Sequence, residues 1–228
     1  MSDPIFLPGG RGARGTLDTA AEGAGSRSAG ADGSTADACV VACPPHPDHG
    51  GHRGDRLLRA VAAELNATDT DCLRFDYGPW DGGRGERADA SAAVEWADRR
   101  YERVAVFGYS FGGAVAIAAA AHGADVVAVA ALAPPARAGA AGETAAGDVR
   151  GIDTVAALVA IPTSLCVGIL YGSRDDTADV GPVVDCAHER GAVVRAFDAD
   201  HFFVGHDAEV AAATVDFLGP SLHPDSRR

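Results

Sequence analysis

Arg103-Val-Ala-Val-Phe-Gly-Tyr-Ser-Phe-Gly-Gly-Ala114 is the stretch on which the reading of this chain turns. It opens as an apolar run whose β-branched Val104 and Val106 suit a buried strand. It closes into the small-residue run 114–121, which favours a helix. Between them lies Gly108-Tyr109-Ser110-Phe111-Gly112, a G-x-S-x-G pattern. The pentapeptide alone recurs in glycine-rich chains; its place between strand and helix is what gives it meaning. A serine on so tight a turn needs unusual backbone angles, and its neighbours two residues either side must lack bulk. Gly108 and Gly112 meet that need, and Gly113 lets the helix lie close to the sheet.

Outward from this stretch, strand and helix patterns alternate. Ala38–Cys43 reads as a short buried strand, followed by the loop Pro44-Pro-His-Pro-Asp-His-Gly-Gly-His52 and an amphipathic helix near Asp55–Leu65. Cys72–Tyr77 is the next strand, then a Gly- and Trp-bearing loop (78–83) and a helix over 88–101. After the central serine come strands at Val126–Leu132, Ser164–Tyr171 and Val193–Phe197, with helices from Pro182 to Gly191 and over Asp207–Leu218. This alternation predicts an α/β domain: a mainly parallel sheet with helices on both faces. Residues 1–37 are expected to be a leader, with an edge strand at Arg14–Asp18 and a flexible Ala/Gly/Ser-rich loop, and residues 38–228 the domain proper. The Ala/Gly-rich segment 136–160 has room for a short helix and not for a large cap.

Composition removes several function classes. The chain has 228 residues, 32 acidic against 19 basic, a net charge of −13 and no lysine. A P-loop and lysine Schiff-base chemistry are therefore excluded, and nucleic acid is an unfavourable partner. The five cysteines form no C-x-x-C pair and read as small buried hydrophobes in a reducing cytosol. Neither a signal peptide nor a membrane span is expected, because His122 and Asp125 break the apolar run 114–135; the expected location is cytoplasmic. The acidic, lysine-free surface further predicts adaptation to high salt, where screening removes self-repulsion. The melting temperature should accordingly rise from dilute buffer to molar KCl, and a flat or falling curve would remove this reading.

In parallel sheets of this type, groups that meet in space come from loops at the carboxyl ends of strands. Three such loops carry Ser110, Asp175 and His201 in that order, as nucleophile, orienting acid and base of an acyl transfer. Phe111 N–H is expected as one oxyanion donor. The loop after the first core strand should supply the second; its prolines have no N–H, which leaves His46 first and Asp48 after it. Tyr109, Phe111, Trp80 and Phe202 are expected as pocket walls. His46, His49 and His52 recur at every third position on a Pro/Gly loop, which matches neither H-E-x-x-H nor a usual zinc spacing. No metal or cofactor is expected, and the partner is a small ester-like molecule.

The segments Pro44–Gly51, Leu73–Tyr77, Gly108–Gly113, Gly172–Asp175 and Asp200–Phe203 resemble the α/β-hydrolase superfamily, near the small dienelactone-hydrolase-like serine hydrolases. More narrowly the chain is similar to uncharacterised hydrolases of salt-loving archaea. The resemblance spans about residues 38–218. It implies the α/β-hydrolase fold and a hydrolytic activity without naming what is hydrolysed; the serine, acid and histidine themselves suit a carboxylic ester ahead of a thioester or a short peptide. Dienelactone hydrolases carry a cysteine nucleophile where this chain has Ser110, so the substrate does not transfer. The alternative function is a hydrolase-fold binding protein with a spent or slow site.

Overall fold

The computed structural model of the chain describes residues 4–20, 36–143 and 149–224. Most of the expected flexible loop (21–35) lies outside the described residues. The strands are β1 (Ile5–Phe6), β2 (Arg14–Asp18), β3 (Ala38–Cys43), β4 (Thr70–Asp76), β5 (Arg103–Tyr109), β6 (Ala128–Leu132), β7 (Arg137–Glu143), β8 (Val149–Asp153), β9 (Cys166–Gly172) and β10 (Val193–Phe197). The helices are α1 (Arg56–Asn66), α2 (Arg84–Asp98), α3 (Phe111–Ala121), α4 (Thr154–Ala160), α5 (Gly181–Glu189) and α6 (Asp207–Leu222). Among the described residues these strands make one eight-stranded sheet, ordered β1-β2-β4-β3-β5-β6-β9-β10, and a separate β7–β8 ribbon.

From β4 to β10 every neighbouring pair is parallel, while β2 adds to β4, and β1 to β2, in the antiparallel sense. Chain order reverses at β3, which has β4 on one side and β5 on the other. Right-handed crossovers put a connection that steps from β3 to β4 on one face and those that step the other way along the sheet on the opposite face. One core cluster joins the sheet to α1 and α6, through Leu57, Leu58, Val210 and Leu218. The other joins it to α2, α3, α4 and α5, through Val94, Ile117, Leu158 and Val183. β5 shows the sorting residue by residue: Val104 and Val106 face the second cluster, Ala105, Phe107 and Tyr109 the first. The mainly parallel sheet covered on both faces is as the sequence predicts. No helix among the described residues is long and apolar enough to cross a membrane.

Four local differences have physical causes. The strand at Arg14–Asp18 is second from the edge, because β1 pairs outside it. α2 begins at Arg84 instead of 88, since the Glu86 carboxylate turns back to accept from the N–H groups of Asp81 (2.8 Å) and Gly83 (2.7 Å) and closes the first turn. Cys39, Cys43, Cys72 and Cys186 are buried, but Cys166 is exposed where β9 begins. The β6–β9 connection contains α4, as expected, and also the β7–β8 ribbon, which the alanines and glycines of 137–143 do not announce. Gly139 fixes the ribbon's position: its φ is +82°, and a Cβ there would stand 2.2 Å from the Gly82 carbonyl oxygen.

The N-terminal segment holds the loop against which the ribbon packs. Arg11 donates from Nε to Asp89 (2.9 Å) and reaches the Pro79 carbonyl, with Glu86 at 3.9 Å. Glu86 and Asp89 are both buried on α2. Burial pushes the Asp89 carboxyl up, against the Gly78 N–H and Arg11, which favour its charged form. Arg11→Met should leave these carboxylates without their counter-charge and lower stability by about 3 kcal/mol. Urea unfolding measures this, and a loss below about 1 kcal/mol would mean that the backbone donors alone suffice.

Candidate active site

The carboxyl ends of β5, β9 and β10 converge on one cleft of about 640 Å³. Ser110 sits between β5 and α3 with φ +56° and ψ −121°, angles outside the regions L-residues ordinarily favour. Its N–H donates to the Leu132 carbonyl (2.7 Å) and its carbonyl accepts from Gly113 N–H (2.9 Å), so both sides of the strained peptide are tied down. A Cβ on Gly108 would meet the Gly112 oxygen at 2.0 Å, and one on Gly112 would meet the Cys43 oxygen at 2.2 Å. The two glycines therefore let β3, β5 and α3 meet beneath the serine. Ser110 occupies the cap position of α3 yet makes no capping bond with its side chain.

That side chain is engaged elsewhere. Ser110 Oγ lies 3.0 Å from His201 Nε2, and His201 Nδ1 lies 2.7 Å from Asp175 Oδ2. The Asp175 side chain has no solvent exposure, and its other oxygen accepts from Thr177 N–H (3.0 Å) and Ala178 N–H (2.9 Å). With a carboxylate at Nδ1, the neutral imidazole carries its proton there and presents the Nε2 lone pair to the serine. Asp200, adjacent to the histidine, instead accepts from Phe202 and Phe203 N–H, bracing its own loop. Asp179 does not cap α5, whose cap position is Val180; its carbonyl receives Ala136 N–H (2.8 Å).

The loop after β3 lies against the serine turn. His46 caps a short 3-10 helix (Pro47–His49), its carbonyl accepting from His49 and Gly51 N–H and its Nδ1 from Asp48 N–H (3.2 Å). Tyr77 holds the loop from behind through Pro44 O (3.1 Å). Among the described residues neither His46 N–H nor Phe111 N–H has a protein acceptor, and both residues line the cleft beside Ser110. The His46 ring packs on His49 (4.7 Å between centroids), Trp80 (4.4 Å) and Phe111 (4.9 Å). Burial and the neighbouring His49 lower the His46 pKa, which favours a neutral ring.

Of the expected pocket walls, Tyr109, Phe111 and Phe202 line the cleft, whereas Trp80 stands behind His46 and Phe111. The sequence reading did not name Arg137, Ala138 and Gly139 of the ribbon, or Thr177 and Ala178 after Asp175, which form the opposite rim. Arg137 pairs with Asp153 on the adjoining strand (3.1 Å). Cys43, at the end of β3, is fully buried and desolvation pushes its thiol up, so it is no competing nucleophile. Among the described residues no group of three or more His, Cys, Asp or Glu is placed to hold a metal ion.

No family model and no curated protein matches the chain in sequence. Solved structures do share its shape. A putative α/β hydrolase of unknown function from Agrobacterium tumefaciens superposes with a TM-score of 0.74 at 19% identity, covering 98% of each chain. A lidless α/β serine hydrolase from Xanthomonas campestris gives 0.70 at 23% identity, over 95% of this chain and 93% of that one. A dienelactone hydrolase from Anabaena variabilis gives 0.67 at 17% identity, over 96% of both. Likeness at such identities is likeness of fold: the chain adopts the α/β-hydrolase fold, and among the described residues no lid domain covers the cleft.

Proposed function

We propose that the chain is a serine hydrolase that cleaves a small carboxylic ester or thioester through an acyl-enzyme. The observation that carries this reading is the unbroken relay from Asp175 Oδ2 through His201 to Ser110 Oγ, at 2.7 and 3.0 Å, opening on a solvent-accessible cleft. His201 takes the Ser110 proton as Oγ adds to the carbonyl carbon, and Asp175 stabilises the imidazolium. Phe111 N–H and His46 N–H are the donors assigned to the tetrahedral oxyanion. His201 then protonates the departing alcohol or thiol. Water enters by the same path to release the acid and restore Ser110. No step calls for a cofactor.

The fold neighbours include proteins described as serine hydrolase and dienelactone hydrolase, which agrees with this reaction class. The open cleft suits small substrates that need no lid to enclose them. All five cysteines are free thiols, in keeping with a cytoplasmic site of action. A fluorophosphonate probe should label the protein on the peptide that carries Ser110. A panel of p-nitrophenyl esters and acyl thioesters of graded length, assayed in high salt, should show turnover that falls with chain length. Neither label nor turnover would leave a hydrolase-fold binding protein instead.

A further inference from the structure

The serine and the histidine are carried by segments 91 residues apart, and something must hold them in register. Backbone hydrogen bonds fix Ser110 within its turn, and Asp175 holds the far side of the imidazole. The backbone of the histidine loop has its own restraint, and it comes from the residue next to the serine. Tyr109 ends β5 facing α1 and α6, and its hydroxyl donates to the carbonyl oxygen of His201 at 2.9 Å. The phenol is buried, and its ring lies 5.7 Å from the His201 ring and 6.3 Å, edge-on, from Phe203. Phe203 is itself fully buried at φ +51°, so the loop turns sharply just beyond the histidine. One carbonyl further on, Arg56 at the start of α1 donates to Phe202 O (2.7 Å).

We propose that Tyr109 is a positioning residue which, by gripping the carbonyl of His201, ties the placement of the base to the turn that places the nucleophile. The inference rests on the hydrolase reading for its effect on turnover. Its physical content is rigidity. The Tyr109 ring is buried and its backbone is one peptide bond from Ser110, so the hydroxyl has little room to swing and ties the His201 backbone to the serine turn across the sheet. Burial, with Asp55, Asp175 and Asp200 nearby, pushes the phenol pKa up and keeps it a neutral donor through the working pH range. Arg56, exposed and shared with Asp207, is the weaker of the two restraints.

Tyr109→Phe removes only the hydroxyl. Per active site titrated with fluorophosphonate, kcat should fall about 10- to 30-fold while KM changes less than twofold. A factor of ten corresponds to about 1.4 kcal/mol, the scale of a single lost hydrogen bond. In the same variant the downfield proton resonance of His201 Nδ1–H, protected by Asp175, should broaden as the loop loosens. A purely structural role would lower the melting temperature yet leave both kcat per titrated site and this resonance unchanged. Either an unchanged kcat or an unchanged resonance overturns the proposal. Should the wild-type protein neither react with the probe nor turn over any ester, the hydrolase reading fails. The resonance alone then decides whether Tyr109 positions His201: broadening supports it and a sharp line refutes it.

Discussion

Ser110→Ala should reduce kcat by roughly 10⁶ and abolish fluorophosphonate labelling, with the fold unchanged. A loss of that size is about 8 kcal/mol of transition-state stabilisation, far more than any single packing contact in the cleft supplies. The fold should survive because the strain belongs to the backbone. Alanine and serine share a Cβ, so the turn at φ +56° costs either residue nearly the same. The lost oxygen caps no helix and has His201 Nε2 as its partner. What remains would be whatever catalysis binding and the oxyanion donors give to attack by water. Turnover of a p-nitrophenyl ester, probe labelling and a thermal melt measure the three expectations together. A variant that keeps a tenth of the wild-type rate would remove Ser110 as nucleophile.

Sequence carried the middle of the sheet because the inner strands β3, β5 and β6 are buried on both faces. Ala38–Cys43 is buried at every position and has no polar alternation to confuse its ends, so strand and sequence run coincide. The serine turn was legible for a steric reason, the two glycines that must pass beneath it. Chain order then pointed to Asp175 and His201 as neighbours of Ser110, since strands ending on the same edge of a parallel sheet deliver their loops to one place. The β7–β8 ribbon was not legible. Arg137-Ala-Gly-Ala-Ala-Gly-Glu143 has no period-two pattern, and its position depends on Gly139 fitting over a carbonyl some 57 residues earlier. The rim residues Arg137 and Ala138 were lost with it. The Arg11 clasp left a fainter trace: Glu86 and Asp89 share a helix face with Ala90 and Ala93, where two acids need a buried partner. The Tyr109–His201 bond joins residues 92 apart, and nothing local in either segment announces it.

The acid is the member of the proposed triad that sequence alone placed least firmly, because Asp175, Asp176, Asp179 and Asp200 all lie near His201 in the chain. Asp175→Asn should lower turnover by roughly 10³–10⁴, and Asp176→Asn by less than about tenfold. The geometry around Asp175 makes the first variant a clean test. Its Oδ1 accepts from Thr177 and Ala178 N–H, and those donors would hold the amide oxygen of an asparagine in the same place. The amide nitrogen must then face His201 Nδ1, which becomes an acceptor and leaves the proton on Nε2, pointing at Ser110. The imidazole keeps its position and loses its function as base. Asp176 is exposed, and its contact is a long one to Thr177 Oγ1 (3.5 Å), so neutralising it changes only a solvated charge. Asp200 serves two backbone donors in its own loop and has no oxygen directed at Nδ1 in the hydrogen-bond pattern. Values of kcat for the two asparagine variants, measured on enzyme titrated for folded sites, decide between the neighbours. Retention of activity in Asp175→Asn with loss in Asp176→Asn would move the triad acid by one residue and require the loop after β9 to adopt another turn.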